Sequence, residues 1–182
     1  LDLSKIESGR MTLVSRTMSL DKIADKVEML MRPQTDEKNI TFELKRDYVR
    51  SIVVGDELRL SQILINIAGN ALKFTHENGK ITVRIQEVYS DNKAARIKFS
   101  IKDNGIGISR EDQKKIFIAF EQAGQNSSLK YGGTGPGLAI SNNFFHLMGG
   151  KLEGQSELGK GSEFCFAIKL SYPNKEERDR YK

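Results

Sequence analysis

One stretch of the sequence decides the fold: residues 56–74 read DELRLSQILINIAGNALKF. Asp56 stands where a helix N-cap is expected, because its carboxylate can accept a hydrogen bond from the unpaired backbone N–H groups of a first turn. The apolar side chains behind it recur at the spacing of one helical face. These core-facing positions are Leu60, Leu64, Ile67 and Ala71. The stretch therefore predicts a long amphipathic helix that packs against a core.

The same helix carries polar side chains along one flank. Asn66, Asn70 and Lys73 follow one another at i, i+4 and i+7, so they lie together beside the apolar stripe. Two amide oxygens one turn apart can hold a hard cation such as Mg²⁺, directly or through water, and a lysine further on can meet phosphate oxygens. A plain solvated helix face would show the same pattern. The flank alone is therefore only a candidate site.

Upstream of this helix, the sequence predicts a second helix and several extended segments. Residues 1–9 are typical of the end of a helix, which Gly9 stops. Ser19 caps the amphipathic segment SLDKIADKVEMLM, and Pro33 lies near its end. Three segments are predicted to be extended: Met11–Ser15, ITFEL at 40–44 and SIVVGD at 51–56.

Downstream, alternating apolar residues predict a sheet. Asn78-Gly79 is a hairpin turn signal, KITVRIQEVY after it alternates as a strand, and ARIKFSIKD returns as its antiparallel neighbour. A polar, glycine-rich stretch at 121–135 and a helix at about 138–148 follow. KLEGQ and SEFCFAIKL are predicted to be closing strands, and the polar tail SYPNKEERDRYK is predicted to fray. This order of elements predicts a two-layer α/β sandwich.

The composition is that of a globular domain. The 182 residues carry 29 Lys and Arg against 24 Asp and Glu, a net charge of +5, but the charges are interleaved without a long basic run. That favours a solvated surface over nucleic-acid binding. No apolar stretch is long enough to span a bilayer. The single Cys165 excludes an internal disulfide and is predicted to be a buried small hydrophobe, which fits a reducing cytosol.

Three glycine-containing motifs lie in the second half of the chain. DNGIG at 103–107 directly follows a strand, where a carboxylate can accept from a ligand amine and glycines let a flat ring approach the backbone. GGTGPG at 132–137 precedes a helix, so its backbone N–H groups can face an anion. Gly159 and Gly161 open the last strand within GKGSEF. Each motif alone also fits an ordinary turn or linker, so the functional interpretation rests on their order and spacing.

Taken together, these motifs resemble those of the histidine kinase catalytic domain, within the superfamily of gyrase-type ATPases. NIAGN at 66–70, followed by Lys73 and Phe74, is similar to the family's N box, and DNGIGI at 103–108 is similar to its G1 box. The later boxes have counterparts in the same order, so that the resemblance covers roughly residues 12–170: Phe117 and Phe120 of the F box, GGTGPGLAIS of the G2 box and GKGSEF of the G3 box. The resemblance implies the Bergerat ATP-binding fold, a mixed, largely antiparallel sheet with helices on one face.

The resemblance also implies roles for individual residues. Asp103 would accept from the exocyclic amine of adenine, which selects ATP over GTP. Asn70 and Asn66 would hold Mg²⁺ on the triphosphate, and Lys73 would contact phosphate, so that Asn66 and Lys73 are the implied catalytic residues. The remaining implied nucleotide-binding residues border the adenine pocket, shape the lid over ATP or open the phosphate-facing helix: Phe74, Gly105, Gly107, Ile108, Phe120, Gly133, Thr134, Gly135, Gly137 and Leu138.

The opening LDLSKIESG resembles the end of the dimerisation helix that precedes this domain in such kinases, and because it begins at Leu1 a fragment is expected. The predicted division is 1–10, hairpin helix end and linker; 11–171, ATP-binding catalytic domain; and 172–182, polar tail. The phosphoacceptor histidine is expected upstream, since His76 precedes a turn and His146 lies within a helix. The implied partners are ATP, that upstream hairpin and a response regulator receiver domain, with no nucleic acid and no direct membrane contact. The implied location is the cytoplasm, in a parent kinase that can be anchored in the membrane.

Two other functions share parts of this pattern. An ATP hydrolase of the same superfamily would place a glutamate general base where this chain has Asn66. An amide cannot activate water, so hydrolysis is expected to be slow. A degenerate module that acts by partner contact alone is suggested by Pro136 only.

Pro136 stands where the family has a bulky aliphatic residue, and proline removes a backbone N–H that could face phosphate. Pro136→Leu is therefore expected to tighten ATP binding. Calorimetric titration of both proteins would measure the difference, and equal affinities would contradict the expectation.

Overall fold

The structure is a computed structural model that describes residues 14–105 and 153–181. Within these ranges lie seven strands and three helices. The helices are α1 (Leu20–Glu37), α2 (Glu57–Phe74) and α3 (Lys175–Tyr181). The strands are β1 (Arg16–Ser19), β2 (Thr41–Asp47), β3 (Ile52–Gly55), β4 (Lys80–Ser90), β5 (Ala94–Asp103), β6 (Glu153–Glu157) and β7 (Gly161–Ser171).

The strands form one mixed sheet in the order β1-β3-β7-β5-β4-β2, with β6 paired to β7. β2 runs parallel to β4, and the other pairings are antiparallel. The parallel pair forms because the chain crosses over between these strands through β3 and α2. The predicted largely antiparallel sheet is confirmed, and so is the antiparallel pairing of β4 with β5.

The core lies between one face of the sheet and the pair of helices α1 and α2. The four α2 side chains predicted from periodicity are all buried. Alternate residues of β4 and β5 face them, and Phe99 of β5 stacks on Phe166 of β7 with ring centroids 5.0 Å apart. On the opposite face of β5, Arg96 and Lys102 are exposed. The described residues therefore form the predicted two-layer α/β sandwich. None of their helices is both long and apolar enough to cross a bilayer.

Asp56 caps α2 as the sequence predicts. Its Oδ1 accepts from the backbone N–H of Arg59 at 3.1 Å, and its Oδ2 accepts from the backbone N–H of Val14 at 3.1 Å. The carboxylate is buried, so both bonds are protected from water. One side chain therefore sets the start of α2 and holds the segment before β1 against it.

Gly69 lies exposed in α2, and nothing lies within 4 Å of the position that an added methyl group would take. Gly69→Ala is expected to raise the free energy of unfolding by about 1 kcal/mol, because alanine restricts the unfolded chain and favours a helix interior. Urea denaturation followed by circular dichroism measures this change. A lower midpoint than that of the wild type would contradict the uninterrupted helix described for α2.

Asn78-Gly79 does not form a hairpin, so that prediction is wrong. The pair connects α2 to β4, whose sheet partners are β2 and β5. Asn78 adopts a φ of 68°, and its N–H donates to the Asn39 carbonyl at 2.9 Å. A methyl group on Gly79 would lie 2.4 Å from Cγ2 of Thr75. The turn is tight, as the dipeptide indicates, but local chemistry does not reveal which elements it joins.

The polar tail is helical rather than frayed, which also corrects the sequence prediction. Asn174 and Glu177 form a capping box at the start of α3: the Asn174 N–H donates to Glu177 Oε1 at 3.0 Å, and the Glu177 N–H donates to Asn174 Oδ1 at 2.7 Å. At the other end, the Lys22 ammonium lies 4.9 Å from the ring centroid of Tyr181. The helix therefore packs back on the domain.

Two further predictions concern β1 and Cys165. Among the described residues the first strand is Arg16–Ser19; the predicted extended segment Met11–Ser15 precedes it, and its residues 11–13 lie outside the described ranges. Cys165 is half-buried on the face of β7 opposite the core residue Phe166, rather than inside the core. Partial burial nevertheless raises the pKa of the Cys165 thiol above its ordinary value.

Candidate functional site

The C-terminal end of α2 carries Lys73 and Phe74, two of the predicted nucleotide-binding residues. Lys73 is exposed, and its Nζ lies 5.7 Å from the ring centroid of the half-buried Phe74. Thr75 follows the helix and is buried, with its hydroxyl donating to the Ala71 carbonyl at 2.7 Å. This bond ties the chain back onto the last turn, so the backbone that carries Lys73 has a defined position.

Lys38, which directly follows α1, contacts the C-terminal end of α2. Its Nζ donates to the carbonyl oxygen of Leu72 at 2.9 Å and to that of Thr75 at 3.3 Å. A cation at this position meets carbonyls that lack helical partners and the negative end of the helix dipole. Lys38 therefore helps to position the turn that carries the candidate site.

Lys38→Gln is expected to lower the free energy of unfolding by about 0.5–1 kcal/mol, because the shorter neutral amide cannot reach both carbonyls. Urea denaturation measures the change. Lys26→Gln is the matched control, because Lys26 is exposed on α1 and its substitution removes the same charge. Equal midpoints for the two variants would show that Lys38 does not stabilise the end of α2.

Asp103 ends β5 and is buried, with 5% of its surface exposed. Its Oδ1 accepts from the Gly105 backbone N–H at 2.9 Å, and the Ser162 backbone N–H also donates to the carboxylate. Burial raises the pKa of the Asp103 carboxyl above its ordinary value, and the two N–H groups act in the opposite direction. Asp103 therefore presents a fixed acceptor in a water-poor setting.

The turn after Asp103 is held by β4 and packs directly against α2. The Asn104 side-chain oxygen accepts from the Lys80 N–H at 2.7 Å, and the Asn104 N–H donates to the Lys80 carbonyl at 3.2 Å. A methyl group on Gly105 would lie 2.3 Å from the carbonyl oxygen of Phe74. Only glycine allows so close an approach, so the structure brings this turn against the last turn of α2.

The first residues of β7 contact the same place. Gly161 adopts a φ of 112°, and a methyl group there would lie 2.1 Å from the Asp103 carbonyl oxygen. Its neighbour Ser162 pairs with Asp103 in the β5–β7 ladder. Three segments that are distant in sequence therefore meet at Asp103: the end of α2, the end of β5 and the start of β7.

Asn66 and Asn70 lie half-buried on α2. At the usual helical rise, Asn70 is about 6 Å and Asn66 about 12 Å along the axis from Phe74. Their side-chain amides have no hydrogen-bond partner among the described residues. Amide oxygens are hard ligands, which fits Mg²⁺. Within residues 14–105 and 153–181, no three His, Cys, Asp or Glu side chains come together as a metal site, so a cation on these amides needs water or phosphate oxygens as well.

The other predicted site residues lie outside the described ranges. They belong to the second half of the G1 box, the F box and the G2 box: Gly107, Ile108, Phe117, Phe120, Gly133, Thr134, Gly135, Pro136, Gly137 and Leu138.

Three contributions to the site were not predicted from the sequence. Lys38 has no motif, because its role depends on how α1 packs beside the end of α2. Ser162 acts through its backbone, which carries no residue signature. Asn104 had a signal, since asparagine before glycine favours a turn that its own side chain stabilises, but its bonding partner Lys80 depends on strand register.

The comparisons with known proteins agree with this geometry. The family described as histidine kinase-, DNA gyrase B-, and HSP90-like ATPase matches residues 55–172. That range begins just before α2 and ends just after β7, so it contains Asp103 and all three segments that meet there.

Three curated relatives that match most of the chain are named as histidine kinases. BarA of Escherichia coli strain K12 is 40% identical over 172 residues, which are 93% of this chain and 18% of BarA. GacS of Pseudomonas protegens is 38% identical over 172 residues, again 93% of this chain and 18% of the relative. Hybrid signal transduction histidine kinase B of Dictyostelium discoideum is 38% identical over 175 residues, 96% of this chain and 9% of that protein. The chain thus spans less than a fifth of the length of these relatives.

Solved structures show the same fold. Full-length ShkA in complex with AMPPNP has a TM-score of 0.73 at 29% identity, covering 94% of this chain and 36% of that one. The nucleotide-free catalytic domain of histidine kinase ThkA has a TM-score of 0.67 at 28% identity, covering 87% of this chain and 95% of that one. The chain therefore belongs to the family of histidine kinase-, DNA gyrase B- and HSP90-like ATPases, and it is similar along most of its length to the catalytic domain of sensor histidine kinases.

Proposed function

We propose that this chain is the ATP-binding catalytic domain of a two-component sensor histidine kinase, which transfers the γ-phosphoryl group of ATP to a histidine on an upstream helical hairpin. The observation that carries the proposal is Asp103, a buried acceptor held by backbone N–H groups beside the end of α2. Family membership and the histidine kinase relatives over 93% of the chain support it. So does the similarity to ShkA, which was solved with AMPPNP.

Asp103 explains the choice of base. An ionised carboxylate only accepts hydrogen bonds, and the exocyclic amine of adenine donates one. Guanine presents a carbonyl oxygen at the corresponding ring position, so two acceptors would face each other in a site that excludes water. The site therefore selects ATP over GTP. Gly105 allows the flat base to lie close to the backbone, and Gly107, Ile108, Phe74 and Phe120 complete the proposed adenine pocket.

The polar flank of α2 binds the other end of the nucleotide. Asn70 and Asn66 supply amide oxygens for Mg²⁺, which neutralises charge on the triphosphate when bound. Lys73, exposed one turn further on, contacts phosphate oxygens. Gly133, Thr134, Gly135, Gly137 and Leu138 belong to the proposed lid and to the helix start that faces the phosphates.

The reaction moves one phosphoryl group. The bond between the γ-phosphorus and the β–γ bridging oxygen breaks, a bond from phosphorus to the acceptor imidazole nitrogen forms, ADP leaves, and the imidazole proton passes to solvent or to a base on the hairpin. This chain contributes position and charge neutralisation. Asn66 cannot act as a general base toward water, so ATP is preserved until a histidine is presented.

The proposal extends to the surroundings of the domain. The catalytic domain spans residues 11–171, preceded at 1–10 by the end of the hairpin helix and followed by the tail at 172–182. Its partners are the upstream hairpin and, after transfer, a response regulator receiver domain. Neither nucleic acid nor the membrane contacts this part of the kinase, which acts in the cytoplasm.

Calorimetric titration with MgATP and MgGTP tests the nucleotide site. We expect one ATP per chain and binding of GTP at least about tenfold weaker, because a buried acceptor left without a donor costs about 1.4 kcal/mol or more. Removal of Mg²⁺ with EDTA is expected to weaken ATP binding. Equal affinities for the two nucleotides would contradict the role of Asp103, and no binding by the folded chain would favour a module that acts by partner contact alone.

A further inference from the structure

A cavity of about 630 Å³ opens at the end of the sheet away from Asp103. We call it the distal pocket. Three segments line it: residues 50–52 at the start of β3, residues 92–93 between β4 and β5, and residues from 172 to 178 that lead from the end of β7 into α3. β5 runs from Ala94 at this end to Asp103 at the other, a span of about 30 Å at the usual strand rise. The pocket is therefore separate from the candidate nucleotide site.

The lining of the distal pocket is strongly basic. It contains four cationic side chains and one carboxylate: Arg50, Lys93, Lys175, Arg178 and Glu177. Glu177 already accepts from the Asn174 N–H in the capping box. Among the described residues, none of the four cations forms an ion pair with an acidic side chain. Nearby, the Asp91 carboxylate accepts from the backbone N–H groups of Lys93 and Ala94 at 2.8 and 2.9 Å.

Hydrogen bonds and a contact between a cation and an aromatic ring hold the walls of the distal pocket in place. The Tyr172 N–H donates to the Lys93 carbonyl at 2.8 Å, which joins two of the three segments. The guanidinium of Arg50 lies 4.5 Å from the ring centroid of Tyr172, which joins the third. The Ser51 hydroxyl bonds to the Ser19 hydroxyl at 2.9 Å and to the Asp21 N–H at 3.0 Å. A ligand would therefore meet a preformed concave surface, at little cost in loop ordering.

We propose that the distal pocket binds a small molecule that carries a diphosphate group. Four cations around one cavity, whose single lining carboxylate already accepts from a backbone N–H, match an anion with two or more charges better than a monocarboxylate. Arginine forks and lysine ammonium groups are the side chains that bind phosphate oxygens. The cavity volume lies within the usual range for small-molecule sites. The diphosphate can belong to free pyrophosphate or to a nucleotide. The proposal does not depend on the function proposed above.

Titration of the ¹⁵N-labelled chain with inorganic pyrophosphate, followed by NMR, tests the site. The backbone N–H signals of Lys93, Ala94 and Glu177 are expected to shift together, with a dissociation constant below about 1 mM at low salt that rises as salt screens the charges. ADP in a parallel titration identifies the source: larger shifts of these three signals with ADP than with pyrophosphate indicate a nucleotide. Shifts confined to Gly105 with both compounds, or no shift at all, would overturn the proposal.

A pair of double variants isolates the charges. Arg50→Gln with Lys175→Gln is expected to weaken pyrophosphate binding at least tenfold. Lys26→Gln with Lys45→Gln replaces two exposed lysines that do not line the pocket and removes the same charge. It is expected to leave the dissociation constant within about twofold when the double variants are compared at an ionic strength of about 0.15 M, because exposed charges outside the pocket are then largely screened. Equal weakening in both double variants would show that only net charge attracts the anion, and the site would be rejected.

Discussion

Asp103→Asn is expected to weaken MgATP binding by about 10- to 100-fold while the chain stays folded. Asparagine has the shape of aspartate, and its oxygen can still accept from the Gly105 N–H. Its amide nitrogen, however, donates, and it would face the Ser162 N–H and the adenine amine, which also donate. The variant thus replaces a fixed acceptor by a clash of donors. Calorimetric titration with MgATP measures the loss.

Asp179→Asn is the matched control for this experiment. Asp179 is exposed on α3, at the end of the sheet away from Asp103, so the substitution removes the same charge far from the buried site. We expect it to bind MgATP as the wild type does. Wild-type affinity in both variants would show that Asp103 does not contact the nucleotide, whereas equal losses in both would point to net charge.

Gly161→Ala is expected to lower the free energy of unfolding by about 3 kcal/mol or more. Two effects add here. A φ of 112° strains any residue with a Cβ, and the new methyl group would lie 2.1 Å from the backbone oxygen of Asp103, which is held by the ladder between β5 and β7. Urea denaturation followed by circular dichroism measures the change in midpoint. Any folded remainder should also bind ATP more weakly, because Asp103 is displaced.

Gly159→Ala separates the two effects. Gly159 also has a positive φ, of 82°, but nothing lies within 4 Å of an added methyl group. Gly159→Ala should therefore lower the free energy of unfolding only by the cost of placing a residue with a Cβ at a positive φ, about 1 kcal/mol. If both variants lost the same free energy, the close approach of Gly161 to Asp103 would not contribute to stability.

The parts of the fold that sequence predicted are those that local chemistry determines. α2 followed from the spacing of its apolar residues and from Asp56, which caps it as expected. The β4–β5 pair followed from alternation and a short connection. Asp103 was a candidate because a carboxylate precedes a glycine turn directly after a strand. In each case the residues that indicate the structure are close together in the sequence.

The parts that were missed depend on contacts between distant segments. Nothing near Asn78 reveals that β4 pairs with β2 in parallel, so the dipeptide alone predicts a hairpin that does not form. The closeness of Gly161 to Asp103 and the reach of Lys38 to α2 follow only from the assembled sheet and helices. The tail differs for another reason: its polar composition predicts fraying, whereas Asn174 and Glu177 form a capping box that starts a helix.

Phosphotransfer from γ-labelled ATP tests the central claim most directly. This chain would be joined to the helical hairpin proposed to precede it, beside the chain alone and beside the joined protein with Asp103→Asn. We predict an alkali-stable, acid-labile label on a hairpin histidine of the joined protein, no label on the chain alone, and a strongly reduced label with Asp103→Asn. A labelled histidine in the isolated chain, or release of inorganic phosphate without labelling of the hairpin, would contradict the assignment as a histidine kinase catalytic domain.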